Sequence, residues 1–168
     1  MAIDLSMENF GSMIDNVIAG ICFFEYDKTS GTMTPFFINE GMFRMLGYSR
    51  VQGMKLLKKV EMNIIPEDLP IYKQGIADVL KDDGAVDVEF RTVTGSGGLR
   101  WLHVRGNLYA READKYTIVT VIQDITEHKN VEEELHLQAE RLHILSEAEG
   151  ERIIDYNAKT DVMVVKSS

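Results

Sequence analysis

Behind Ser6, a residue suited to capping a helix, Met7, Phe10, Met13, Ile14 and Val17 recur at spacings of three and four. That pattern predicts a helix with one apolar face over 6–18. Ala19-Gly20 breaks the period, and Ile21-Cys22-Phe23-Phe24-Glu25-Tyr26 reads as a strand closed by the turn-prone Asp27-Lys28-Thr29-Ser30-Gly31. A second strand over 32–38 completes a hairpin.

Asn39 is placed to cap a short helix over 40–46 that Gly47 ends, and a further helical piece follows over 50–58. Pro66-Glu67-Asp68 opens a longer helix. Leu69, Tyr72, Ile76, Val79 and Leu80 share one face of it, Lys73, Gln74, Asp78 and Lys81 lie opposite, and Asp82-Asp83-Gly84 stops it. Three strands are then expected, over 85–94, 99–110 and 115–123. The loops joining them, Gly95-Ser96-Gly97-Gly98 and Arg111-Glu112-Ala113-Asp114, are short enough to make an antiparallel meander. Five antiparallel strands with helices on one face make an α+β protein.

At Asp124-Ile125-Thr126-Glu127 the hydrophobic period changes from 2 to about 3.5. Residues 127–147 hold neither Gly nor Pro and favour an uninterrupted helix. Val131, Leu135, Gln138, Leu142 and Leu145 run 4-3-4-3 along it, the seam of a short coiled coil, with Leu137 and Ile144 off the seam. The tail then repeats an earlier pattern. Ile153-Ile154-Asp155-Tyr156-Asn157 echoes Phe23-Phe24-Glu25-Tyr26-Asp27, and Val162-Met163 echoes Thr32-Met33. A second module of the same kind is expected to begin at 149–168.

Composition narrows the function. The 168 residues are 45% hydrophobic and 27% charged, ordinary for a globular chain. A formal net charge of -9 argues against nucleic acid, whose phosphates call for clustered Lys and Arg. The single cysteine, Cys22, rules out an internal disulfide or a CxxC site and fits a reducing compartment. No apolar run is long enough to span a membrane, and the N-terminus lacks a signal layout, so a cytoplasmic location is expected. There is no GxSxG, GxxxxGK[ST] or HExxH motif, so no enzyme chemistry is expected of this chain. Among the histidines, His136 and His143 share a helix face but stand two turns apart, too far for one metal ion, so no metal site is expected.

Four segments carry a resemblance: Asn39 through Leu46-Gly47-Tyr48-Ser49, Pro66-Glu67-Asp68, Phe90-Arg91 leading to Gly98-Leu99-Arg100-Trp101, and Asp124-Ile125-Thr126-Glu127 with Lys129 beyond. In this order the chain resembles the PAS sensor domain in its PAS/PAC form. It departs at Ile65, where the family often has a histidine, and at Thr120, near a frequent glycine. The resemblance implies a capping helix at 6–18, the PAS/PAC domain at 19–126, a linker helix at 127–148 and the start of a second module at 149–168.

It also implies a pocket between sheet and helices, for which Phe23, Phe37, Met42, Leu46, Ile76, Leu80 and Phe90 are the candidate lining. A plain hydrophobic core would use the same residues. Trp101, Asp124 and Thr126 are the candidates for coupling sheet to exit helix, although Asp124 and Thr126 could simply cap that helix. The cofactor, if any, is left unknown. Flavin attached through cysteine is disfavoured because Cys22 lacks the surrounding motif of that subfamily, and haem because the helix after Pro66 carries no histidine. The expected function is a cytosolic sensory and dimerisation module that forms a homodimer, senses a small molecule or state and signals to downstream domains of the same chain. A diguanylate cyclase is favoured over a histidine kinase as output. The alternative is a ligand-free interaction scaffold.

Overall fold

The computed structural model describes residues 7–56, 61–81, 84–148, 153–157 and 162–166. The chain divides into two compact units, Met1–Thr126 and Glu127–Ser168.

In the first unit, α1 (Met7–Asp15) leads into β1 (Gly20–Asp27) and β2 (Thr32–Ile38). Asp27 makes the turn between the strands. Its carboxylate accepts the N–H groups of Thr29 (2.7 Å) and Ser30 (3.0 Å), and those bonds hold its pKa below the usual carboxylate range. The helices α2 (Glu40–Leu46) and α3 (Arg50–Leu56), a 3-10 turn at Pro66–Asp68 and α4 (Leu69–Val79) follow. Residues 57 and 58 of the expected 50–58 helix lie outside the described residues. The strands β3 (Ala85–Val93), β4 (Leu99–Arg111) and β5 (Lys115–Asp124) close the domain.

All pairings are antiparallel, in the order β2-β1-β5-β4-β3. The last strand thus returns to the first, with Gly20 opposite Ile122 and Asp27 opposite Lys115. This places β1 and β5 at the centre, where Cys22 and Ile118 are fully buried.

α2 begins and ends as its sequence demands. Asn39 accepts the Met42 N–H at its start, and Gly47 takes φ 69°, ψ 30°, the left-handed conformation that costs a residue without Cβ little. α4 approaches β3 so closely that a Cβ on Gly75 would sit 2.9 Å from Val86 Cγ2. Two apolar clusters result. One gathers Cys22, Ile38, Met42, Phe43, Leu46, Ile64, Phe90, Leu102 and Ile122, and the other joins Val79 and Val86 to Ile118.

Leu80, at the C-terminal end of α4, packs against this second cluster and, unlike Val79, Val86 and Ile118, is not among the residues that line the cavity. Phe23 and Phe37 also lie elsewhere. Side chains alternate along β1, so Cys22 and Phe24 face the core while Phe23 faces outward. Phe37 stands opposite Phe23 with ring centroids 5.1 Å apart, and an irregularity in the β1–β2 ladder at Phe23/Phe24 adds Phe36, whose ring centroid is 6.0 Å from that of Phe23. The three rings sit on the outer face of the sheet.

In the second unit, α5 continues from Thr126 to Ala148. On it Val131, Leu135 and Leu142 are exposed; the side chain of Leu145 lies outside the described residues. Strands β6 (Ile153–Asn157) and β7 (Val162–Lys166) form an antiparallel hairpin. Its register pairs Asp155 with Val164, Tyr156 with Met163 and Asn157 with Val162, which matches Glu25 with Thr34, Tyr26 with Met33 and Asp27 with Thr32 in the first hairpin. No helix among the described residues is long and apolar enough to cross a membrane.

Candidate functional site: an apolar cavity and the strand-to-helix junction

A cavity of about 90 Å³ lies between the core face of the sheet and the helices. α2 contributes Met42, Phe43 and Leu46, and α4 contributes Tyr72, Gly75, Ile76 and Val79. Alternate residues of the strands make the opposite wall: Phe24 on β1, Val86, Val88, Phe90 and Thr92 on β3, Leu102 and Val104 on β4, and Ile118, Thr120 and Ile122 on β5. Four of the seven candidate lining residues, Met42, Leu46, Ile76 and Phe90, are therefore at the cavity, and Phe23, Phe37 and Leu80 are not.

The sheet wall was open to detection. Leu102-x-Val104 and Ile118-x-Thr120-x-Ile122 alternate with residues of the outer face, the period of a half-buried strand. No cysteine or histidine lines the cavity. Cys22 is wholly buried outside it, and burial pushes its thiol up to about 12. Among the described residues no cluster of three or more His, Cys, Asp or Glu side chains could hold a metal ion.

At the first turn of α4, Asp68 is buried and receives three hydrogen bonds from one residue. Arg91 donates its backbone N–H and Nε, both at 2.8 Å, and its Nη2 at 2.7 Å. The Arg91 hydrogen bonds hold the Asp68 carboxyl below the usual carboxylate range, against the upward push of burial. On its other side the Arg91 guanidinium lies 5.3 Å from the centre of the Trp101 ring.

Trp101 is fixed through its backbone. Its N–H donates to Thr126 Oγ1 (2.9 Å), and its carbonyl accepts the Ile125 N–H (2.9 Å). The Thr126 hydroxyl in turn donates to Asp124 Oδ1 (2.5 Å), which also accepts the Thr126 N–H (3.0 Å), while Arg100 pairs with Asp124 Oδ2. Burial pushes the Asp124 carboxyl up, but the bonds from Thr126 and Arg100 outweigh it and leave the pKa lowered. Asp124 therefore satisfies the first helical N–H, whereas the Thr126 hydroxyl turns back to β4. Capping alone does not describe Thr126. Sequence reasoning missed Asp68, Arg91 and Arg100 as a set, although all three lie in the segments that carry the resemblance.

A family model of the PAS fold matches residues 35–122, just over half of the chain. The chain belongs to the PAS fold family. Solved structures agree on this PAS architecture. A sensory box histidine kinase/response regulator from Burkholderia thailandensis E264 is 24% identical, with a TM-score of 0.57, over 80% of this chain and 97% of that one. A PAS domain from Colwellia psychrerythraea is 19% identical with a TM-score of 0.57, over 72% of this chain and 98% of that one. An RNA-binding light-oxygen-voltage receptor is 16% identical with a TM-score of 0.61, over 85% of this chain and 39% of that one. No curated protein matches the chain.

Proposed function

We propose that this PAS domain is a cytoplasmic sensory and dimerisation module, and that occupancy of the cavity is passed to α5 and from there to downstream domains of the same chain. The observation that carries this reading is the unbroken set of polar contacts around Trp101. Asp68 at the start of α4 holds Arg91, Arg91 lies over Trp101, and the Trp101 peptide is bound to Ile125 and Thr126. A displacement of α4 by a ligand would act on the residues that launch α5, a route by which one site can bias a two-state element.

The test is Asp124→Ala in the full-length parent protein. Removing the carboxylate frees Arg100 and the Thr126 hydroxyl, and output is expected to lose its response to signal while the domain stays folded by circular dichroism. An unchanged response would refute the junction's role. The β6–β7 hairpin, with its repeated register, supports a second PAS-like module at 149–168 as the next receiver. As output we favour a diguanylate cyclase, and the histidine kinase named for the Burkholderia structure is the second reading. Assays of the parent for cyclic di-GMP synthesis and for autophosphorylation decide between them.

Dimerisation is proposed between two copies of the outer sheet face, where Phe36, beside Phe23 and Phe37, is 58% exposed and Val121, opposite Ile21, is 42% exposed. In the second unit the exposed seam Val131, Leu135 and Leu142 would pair with the same seam of the second copy. Phe36→Glu is expected to raise the dimer dissociation constant at least about tenfold in analytical ultracentrifugation, since it places a charge in an apolar contact. A dimer of undiminished strength would move the interface elsewhere. A dimer that binds nothing in its cavity would favour the interaction scaffold over the sensor.

A further inference from the structure

Three hydroxyls at the cavity wall are already committed to the protein. The Thr92 hydroxyl donates to the Asn63 carbonyl (3.0 Å), Thr120 to the Cys22 carbonyl (3.2 Å) and Tyr48 to the Val93 carbonyl (3.4 Å). Among the described residues no Lys, Arg, His, Asp or Glu lines the space. Among the described residues no fully buried side-chain nitrogen or oxygen lacks a partner, so none is left waiting for a ligand. Tyr72 is held neutral, its phenol pushed up to about 12 by burial.

A wall of this kind selects by what it cannot do. A carboxylate or phosphate entering it would lose its water and gain no partner, the costliest form of burial. Water itself is poorly held, because a buried water needs two to four polar partners, and apolar cavities of about 150 Å³ stay dry and accept benzene. At about 90 Å³ this cavity is smaller. Met33 and Met42 are part of its wall, and their flexible thioethers can give way to a ring.

We propose that the cavity binds a neutral, apolar molecule no larger than a single aromatic ring or a short alkyl chain, and that it rejects ligands carrying a carboxylate or phosphate. This rests on the reading of the cavity as the sensory site and names the chemical class it would sense. The selectivity comes from a described wall that offers no charged partner, and the small volume sets the upper size.

The experiment compares benzene with benzoate, the same ring with a charge added, on the 168-residue chain. Binding is followed by the methyl resonances of Met33 and Met42 and by thermal shift. Benzene is expected to saturate with a dissociation constant on the order of 1 mM, from the area of one ring removed from water. It should raise the melting temperature and move both methyl signals. Benzoate is expected to bind at least about 100-fold more weakly. Ile76→Phe fills the space from α4 and is expected to abolish the benzene response, with Val104→Phe, from the sheet side, as the second filling variant if the first does not fold.

Benzoate binding as tightly as benzene, with the same methyl shifts, overturns the ligand class and leaves the sensory reading standing. Benzene binding unaffected by a folded filling variant places the site elsewhere and overturns the proposal. Methyl signals that respond to neither molecule overturn both the class and the reading of the cavity as a ligand site.

Discussion

Asn39→Ala is expected to lower the unfolding free energy by about 4 kcal/mol, the sum of several buried polar groups left without partners at about 1–3 kcal/mol each, partly offset by relaxation. Asn39 is wholly buried, yet its amide is fully used. Oδ1 accepts the N–H groups of Ile21 (2.8 Å) and Met42 (3.1 Å), and Nδ2 donates to the carbonyls of Ile14 (2.9 Å) and Ala19 (3.0 Å). One side chain therefore ties the end of α1, the start of β1 and the first turn of α2. Alanine cannot replace any of these bonds, and water would have to enter a closed site to do so. The melting temperature should fall by about 10 °C or more at this domain size. Asn107→Ala, on the exposed outer face of β4, is the control and should change stability by no more than about 0.5 kcal/mol. A loss below about 1 kcal/mol for Asn39→Ala in urea denaturation would show that the amide does not bind these three elements together.

The same residue illustrates what could be read in advance. Asn39, Gly47 and the span 40–46 were legible because capping and termination are local chemistry, decided within one turn of helix. The five strands were legible from alternation and turn residues, and short loops gave the β1–β2 hairpin and the β3–β4–β5 meander, but the long-range β1–β5 pairing that joins them has no local signal. The direction of individual side chains was not legible where both faces are apolar. In Ile21-Cys22-Phe23-Phe24 every residue is apolar, so a period of 2 leaves no trace of which face is inside. Phe37 pairs with Phe23 and so shares its outer face, and the irregularity at Phe23/Phe24, which no local signal announces, adds Phe36 beside them. Leu80 differs in another way: it continues the apolar stripe of α4 at its C-terminal end, but its side chain packs against the second cluster without lining the cavity. Tyr72, on that same stripe, does reach the cavity.

The link between cavity and junction is less legible still, because its partners are far apart in the chain. Asp68 and Arg91 are separated by 23 residues, and Trp101 and Thr126 by 25. Each residue belongs to a recognisable short segment. Only the register that sets Arg91 opposite Trp101 on neighbouring strands turns those segments into one connected structure. The functional reading therefore depends on sheet pairing more than on any single motif.

That dependence makes Asp68→Ala the second decisive substitution. It leaves the Arg91 guanidinium and backbone N–H without their shared acceptor, and a loss of about 2 kcal/mol at pH 7 is expected, discounted because Arg91 is partly exposed and can turn to water. The pH dependence identifies the cause. The hydrogen bonds of Arg91 depress the Asp68 pKa in the folded state below its unfolded value, so the unfolded chain binds the proton first as pH falls. The contribution of Asp68 is therefore complete above the ordinary carboxylate range near pH 4 and is lost progressively as pH falls through that range to the lower folded value. The stability difference between wild type and Asp68→Ala should be constant from pH 7 to about 5 and shrink below it. The other carboxylates with lowered pKa values, Asp27, Asp78, Asp87 and Asp124, titrate in both proteins and cancel in the stability comparison. Trp101 supplies an independent reading, since it is the only tryptophan and faces the Arg91 guanidinium. Its emission should shift in the variant at pH 7, and wild type should approach the variant's spectrum in the same acid range. A stability difference that stays level down to pH 3 would mean that Asp68 acts by packing alone. An unmoved Trp101 spectrum would mean that the connection from α4 ends at Arg91 and never reaches the junction.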